Sequence, residues 1–306
     1  MELIADIAIG MMLAATPLLF AALGELVVER AGVLNLGVEG MMIVGAICGF
    51  VVTVETDSHL LGVLAAAGAG VGMSLIFGLM TQILLANQVA TGLALTIFGL
   101  GLSALIGQGY TGYSVAAMPR LDLPVLSDLP YVGQLLFGHE PLVYLSIIMV
   151  AAIAIFLHRS RAGMILRAVG ENHDAAHAIG YKVIRIRLMA IAFGGGMAGL
   201  GGAYLSIART PLWSENMTAG RGWIALAIVV FASWRPGRAM LGAYLFGGVT
   251  IAQLHVQGLG VDIPAQYLSM LPYVATILVL VLISTSRGSR AMGAPGSLGR
   301  QFHASA

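Results

Sequence analysis

Apolar positions in this chain run almost unbroken over lengths that neither a strand nor a surface helix uses. Wound as helix, about 20 apolar residues match the hydrocarbon thickness of a bilayer. Such runs fall at residues 4–28, 33–54, 60–86, 89–108, 141–158, 186–208, 220–234, 238–256 and 264–284, which predicts about nine spanning helices. Two are irregular: 220–234 is short, and 33–54 carries Asn35 and Glu39 inside its apolar run. Between the runs lie two long polar segments, 109–140, rich in proline, and 159–185, rich in arginine.

Composition makes this an all-α integral membrane protein. Of 306 residues, 58% are hydrophobic and only 9% charged, against roughly a quarter charged in an ordinary globular domain. The 41 glycines follow no three-residue period and sit inside the apolar runs, as closely packed spanning helices require. Gly68 with Gly72 and Gly195 with Gly199 have the GxxxG spacing of helix-to-helix contacts. Cys48 is the sole cysteine and reads as a small apolar residue. The first run lacks a basic flank and is kept as a mature helix. No basic stripe with interleaved aromatics points to nucleic acid.

Charge sets the orientation. With nine crossings and the N-terminus outside, twelve of the fifteen basic residues fall on the cytoplasmic side, and only Arg120, Arg209 and Arg221 fall outside. This places 109–140 outside and 159–185 in the cytoplasm. Residues 1–286 form one transmembrane domain, and the Gly/Ser/Ala-rich tail 287–306 reads as disordered and cytoplasmic.

Little in the chain suggests catalysis. The only lysine, Lys182, follows no phosphate-binding glycine loop, so ATP hydrolysis belongs to another chain. HDAAH (173–177) puts two histidines on one helical face, as a zinc site requires, but supplies Asp where zinc proteases use Glu and brings no third ligand. LRAVGENHDAAHAIGY (166–181) predicts a short helix of two to three turns, started near Gly170 and stopped by Gly180. A short helix between two spans persists when it docks on something. Glu29 and Arg30 sit at the end of the first span, where charged heads reach water. Glu39 differs: a charge inside a span costs at least ~2.5–3.5 kcal/mol, so it needs a partner or a water-filled path. Asn35, four residues earlier, shares its helix face, and Arg30 is within reach if the chain turns at Gly32. A pore, a gate and a buried packing network all satisfy these residues.

GELVVERAGVLNLGVEGMMIVGA (24–46), NQVATGLALTIFGLGLSALIG (87–107), MTAGRGWIALAIVVFASWRPGRAMLGAYLFGG (217–248) and LPYVATILVLVL (271–282) resemble permease subunits of bacterial ABC importers. The superfamily is that of the branched-chain amino acid and ribose permeases, and the likeness is nearest its nucleoside and simple-sugar branch. The resemblance implies a type II-like importer permease fold in the cytoplasmic (inner) membrane and import of nucleosides. A simple sugar or another purine-derived metabolite is the alternative cargo. It implies no cofactor or metal in this chain, ATP and Mg bound by a partner ATPase subunit, a second permease in a heterodimer, and an extracytoplasmic substrate-binding protein. Asn35 and Glu39, with Asn87, Gln88 and Thr91 as a second cluster, become candidates for lining or bracing the translocation path. Gly170, Glu171, Asn172, Ala175 and Ala176 match the family's GEN-x-x-AA pattern ahead of Gly180, which makes the segment the ATPase-coupling helix. Where the family often has proline this chain has His173. Arg221 and Trp223 are expected on the binding-protein side. Two other classes remain: an ion-coupled secondary transporter leaning on Glu39, and a metalloenzyme built on HDAAH.

Overall fold

The computed structural model describes residues 2–121, 137–258 and 293–303, with isolated positions between 267 and 281. In chain order the helices are α1 (Glu2–Arg30), α2 (Val38–Thr56), α3 (His59–Gly78), α4 (Gln88–Gly107), α5 (Pro141–Arg159), α6 (Arg161–Glu171), α7 (His173–Ala178), α8 (Val183–Ala203), α9 (Arg221–Phe231) and α10 (Pro236–Gly258). One π-helical stretch, Leu79–Ile83, prolongs α3, and another, Tyr204–Arg209, prolongs α8. Seven helices among the described residues are long and apolar enough to cross a membrane, and α9 is a shorter apolar helix. The span expected at 264–284 lies mostly outside the described residues, and 122–136 of the long loop lies wholly outside them.

Local chemistry sets many of the helix ends. Ser58, Asn87, Ser160 and Asn172 each stand before a first turn and accept a backbone N–H with the side-chain oxygen, which satisfies a donor that the helix itself leaves open. Pro141 opens α5, where its missing N–H costs nothing.

Helix α8 lies at the centre, packed on α1, α2 and α3, and close approach at glycine makes this possible. A Cβ at Gly195 would collide with Gly70 and Ser74 of α3, and one at Gly199 with Ala66. Gly202 lies equally close to the α2 backbone at Met42. Without a hydrophobic drive between helices in lipid, such van der Waals contact is what holds them together. The Gly195/Gly199 pair thus packs as its spacing suggests. Gly68 and Gly72 do not: nothing among the described residues lies within reach of a Cβ at either, and Gly70 on the opposite face makes the contact.

The helices alternate direction, so the bundle has two distinct ends. Arg30, Arg159, Arg161, Lys182, Arg185 and Arg235 gather at one, where α1, α5 and α9 finish and α8 and α10 begin. The opposite end holds the tight α2–α3 turn, the end of α4 and Arg209. Residues 293–303, the described part of the tail, depart from the expected disorder. Residues 296–299 form a turn against the basic end, where Ser297 and Phe302 are buried. The physical reason is specific anchoring: Ser297 N–H donates to Gly170 O, and Gly299 N–H donates to Gly32 O.

Candidate functional site

Helix α2 begins at Val38, so Asn35 lies in the turn before it and does not share a helical face with Glu39. Asn35 closes that turn: its N–H donates to Glu25 Oε1 at 3.0 Å, and its Oδ1 accepts from Gly37 N–H at 2.9 Å. No bond joins it to Glu39. Nor does Arg30 turn toward Glu39; it donates to the carbonyls of Trp234 and Gly293. Glu29 is not a water-reaching head either. It is buried and accepts from Trp234 Nε1 at 2.5 Å, which ties the end of α1 to the end of α9.

Glu39 is buried and fully engaged. Its Oε1 accepts from Thr218 Oγ1 at 2.5 Å and Gly220 N–H at 2.8 Å, and its Oε2 accepts from Gly222 N–H at 2.6 Å. The carboxylate therefore sits on the open amides at the N-terminus of α9, where the helix dipole favours a negative charge. Close approach makes this possible, since a Cβ at Gly222 would strike Glu39.

The depth of this contact follows from α4. Leu34 N–H donates to Gln88 Oε1 at the start of α4, whereas Gly40 packs on Leu95 and Thr96. At 1.5 Å per residue, Glu39 and the start of α9 lie ~12 Å inward from the basic end. Trp213, by contrast, lies against Gly107 at the far end of α4, and Leu212 bridges to Ser114. Residues 210–220 therefore descend as irregular chain from the far end to the inner third of the bundle. From there α9, ~16 Å long, runs back to the basic end. Arg221 and Trp223 accordingly stand well inside rather than at the outer end. Arg221 Nη1 donates to Met217 O and Thr218 O, which holds the descending chain.

The second cluster has a structural role at the basic end. Asn87 caps α4 through Ala90 N–H, buried Gln88 fixes the turn at Leu34, and Thr91 follows half-buried on the first turn.

At the basic end, α6 and α7 are separate helices broken at Asn172, not one helix. Gly170 lies in the last turn of α6, where a Cβ would collide with Arg30 O. Glu171, Asn172, Ala175 and Gly180 are exposed and Ala176 is buried. His173 faces inward. Its Nδ1 lies 3.0 Å from Arg187 Nη2, and because arginine can only donate, Nδ1 accepts and the histidine is neutral with its proton on Nε2. Burial, reinforced by the Arg187 cation, holds the His173 pKa below its ordinary value. The two histidines of HDAAH share Phe302 of the tail as a ring neighbour.

Arg187 is the residue that reading the sequence missed. It is fully buried and donates to Ala31 O, Gln82 Oε1, Arg300 O and His173 Nδ1. It thereby joins α1, α3, α7, α8 and the tail. Its signal was its place one turn inside a span, beyond the boundary cluster Lys182–Arg185.

A family model described as the permease component of branched-chain amino acid transport systems matches residues 7–280. The chain belongs to that family. Similar chains include a Haloferax volcanii protein with the provisional name of glucose ABC transporter permease, TsgC13, 40% identical over 95% of each chain. The Lactococcus lactis nucleoside permease NupC is 33% identical over 89% of this chain and 90% of its own. The Bacillus subtilis guanosine permease NupQ is 33% identical over 94% and 95%. An inward-facing ABC transporter provisionally assigned to the metal-chelate type shares the fold at a TM-score of 0.52, with 15% identity, over 90% of this chain and 84% of that one. The chain is thus a multi-pass ABC permease of the nucleoside and sugar importers, without an ATPase site of its own; in this family the ATPase is a separate subunit.

Proposed function

We propose that this chain imports nucleosides, driven by a separate ATPase that binds ATP and Mg and docks on α6 and α7. The observation that carries this reading is the basic-end module. Exposed Glu171, Asn172 and Ala175 sit on two short helices whose buried side is tied through Gly170, His173 and Arg187 to α1, α3 and α8. A push on that surface reaches spanning helices directly. The basic end then faces the cytoplasm, with the N-terminus outside and the tail inside, in keeping with the positive-inside rule. An extracytoplasmic binding protein delivers cargo, and a second permease completes the pathway.

Two features favour an uncharged cargo. The α9 N-terminus, a ready anion site when open, is already filled by the Glu39 carboxylate. The names of NupC and NupQ favour nucleosides. The name of TsgC13 supports glucose as a second reading. Uptake of labelled guanosine, adenosine, uridine, ribose and glucose at low concentration, with and without the gene, decides between them. Loss confined to nucleosides supports the proposal; loss confined to a sugar moves the cargo, and unchanged uptake of all five refutes both.

A further inference from the structure

The descending chain between α8 and α9 presents a physical problem. The backbone N–H groups of Trp213 through Thr218 donate to nothing among the described residues, and Ser214, Glu215, Asn216 and Ala219 are exposed. This stretch runs inward between the level of Gly107 and that of Glu39. Facing lipid, each unsatisfied amide would be strongly destabilising, and the Glu215 carboxylate would add to that cost. Irregular backbone at such depth is tolerated only where protein covers it or water wets it. The geometry also holds the strand open. Asn216 and Ala219 both adopt positive φ, at 54° and 45°, a conformation uncommon for residues with a side chain. They are kept there by Glu39 and Arg221 gripping residues 217–222 from behind.

We infer that Ser214–Asn216 is the wetted wall of the translocation path and that Ser214, Glu215 and Asn216 contact the cargo. The inference rests on the importer reading above and adds the cargo's chemistry. A hydroxyl, a carboxylate, an amide and backbone N–H groups without an acceptor among the described residues offer mixed donors and acceptors without a net positive charge. That set suits an uncharged, polyhydroxylated molecule, such as the ribose of a nucleoside or a free sugar. Such a site stays weak, because water satisfies the same groups once the cargo leaves.

Single cysteines test this in a Cys48→Ala background, with Ser214→Cys and Asn216→Cys as probes and Ile97→Cys, exposed on the apolar face of α4, as control. The assembled transporter in intact cells is treated with a membrane-impermeant sulfonated maleimide, with or without excess guanosine or glucose. Expected is labelling at 214 and 216 at least an order of magnitude faster than at 97, slowed by the transported cargo. Labelling that no cargo slows overturns the contact. Absence of labelling at both sites, while the cysteine-free parent still transports, overturns the wetted wall and leaves the importer reading intact. Labelling only when the chain is expressed without its partners means that a second permease covers the segment, which also overturns it. If cargo-independent wetting coincides with unchanged uptake on gene deletion, it is the importer reading that fails.

Discussion

Replacing Glu39 by Gln isolates the clamp on α9. The carboxylate accepts three short bonds, two on Oε1 and one on Oε2. Glutamine keeps one acceptor oxygen and turns an NH2 toward a buried N–H. Holding Thr218 and Gly220 costs it the Gly222 bond, worth ~1.5–3 kcal/mol to a charged acceptor, and leaves two donors facing each other at a further ~1–3 kcal/mol. The lost charge at the helix N-terminus adds ~0.3–1 kcal/mol. Together the loss is about 3–7 kcal/mol, a large share of ~5–15 kcal/mol total stability. The assay is thermal unfolding of the purified chain in detergent, paired with uptake in cells. Glu39→Gln is expected to lower the midpoint clearly and to reduce uptake of every cargo by the same factor, with KM unchanged, because the residue braces the path. Glu39→Asp, one methylene short, falls between. Wild-type stability and uptake in Glu39→Gln would refute the clamp, and a cargo-dependent change in KM would make Glu39 a contact instead.

Three further outcomes follow from the basic end. Phe302→Ala removes the aromatic that packs with Val169, Ala176 and Val183; hydrogen exchange should speed up across 170–178 while α1 and α2 keep their protection, and unchanged exchange would refute tail anchoring. His173 has a depressed pKa in the fold, so the unfolded chain binds more protons below its ordinary value of ~6.5. The His173 contribution is therefore complete above that pH and declines as pH falls through and below it. The neighbours facing the ring are Arg187, Arg300 and Asp174, of which only Asp174 favours the proton. Exchange protection of 297–302 should fall on acidification from pH 7.5 to 5.5, and His173→Gln, which retains an acceptor, should abolish the dependence. Arg187→Met should cost roughly 1–3 kcal/mol for each orphaned buried acceptor, read as a lowered unfolding midpoint; an unchanged midpoint would remove Arg187 from the account.

The apolar runs made the fold legible, because a bilayer imposes one length on every spanning helix. The Gly195/Gly199 contact was legible too, but Gly68 and Gly72 were not told from Gly70, since GxxxG spacing does not say which face meets a neighbour. Asn35 and Glu39 are both buried; the partners of Asn35, Glu25 and Gly37, are local, whereas those of Glu39 lie far along the chain at 218–222, where no local spacing points. The break at Asn172 has a sequence cause that reads clearly only in three dimensions: Asn172 caps α7 with its side chain just where Gly170 must press on Arg30. The half-length of α9 showed in the short run 220–234. The descent before it did not, because residues 210–220 look like an ordinary outer loop. Tail docking was hidden for a related reason, since Gly- and Ser-rich sequence is the usual mark of disorder and a few anchored residues barely change composition.

The most direct test of an ATPase-driven permease is the coupling ratio in vesicles. The chain, co-purified with its ATPase and the proposed second permease, is reconstituted with the proposed binding protein, and labelled guanosine uptake is measured against ATP hydrolysed. Wild type should accumulate guanosine only with ATP and Mg. Glu171→Arg, on the exposed surface proposed to dock the ATPase, should leave the assembly folded and hydrolysis running while uptake falls. Uptake that proceeds without ATP, or that follows an ion gradient instead, would contradict the account.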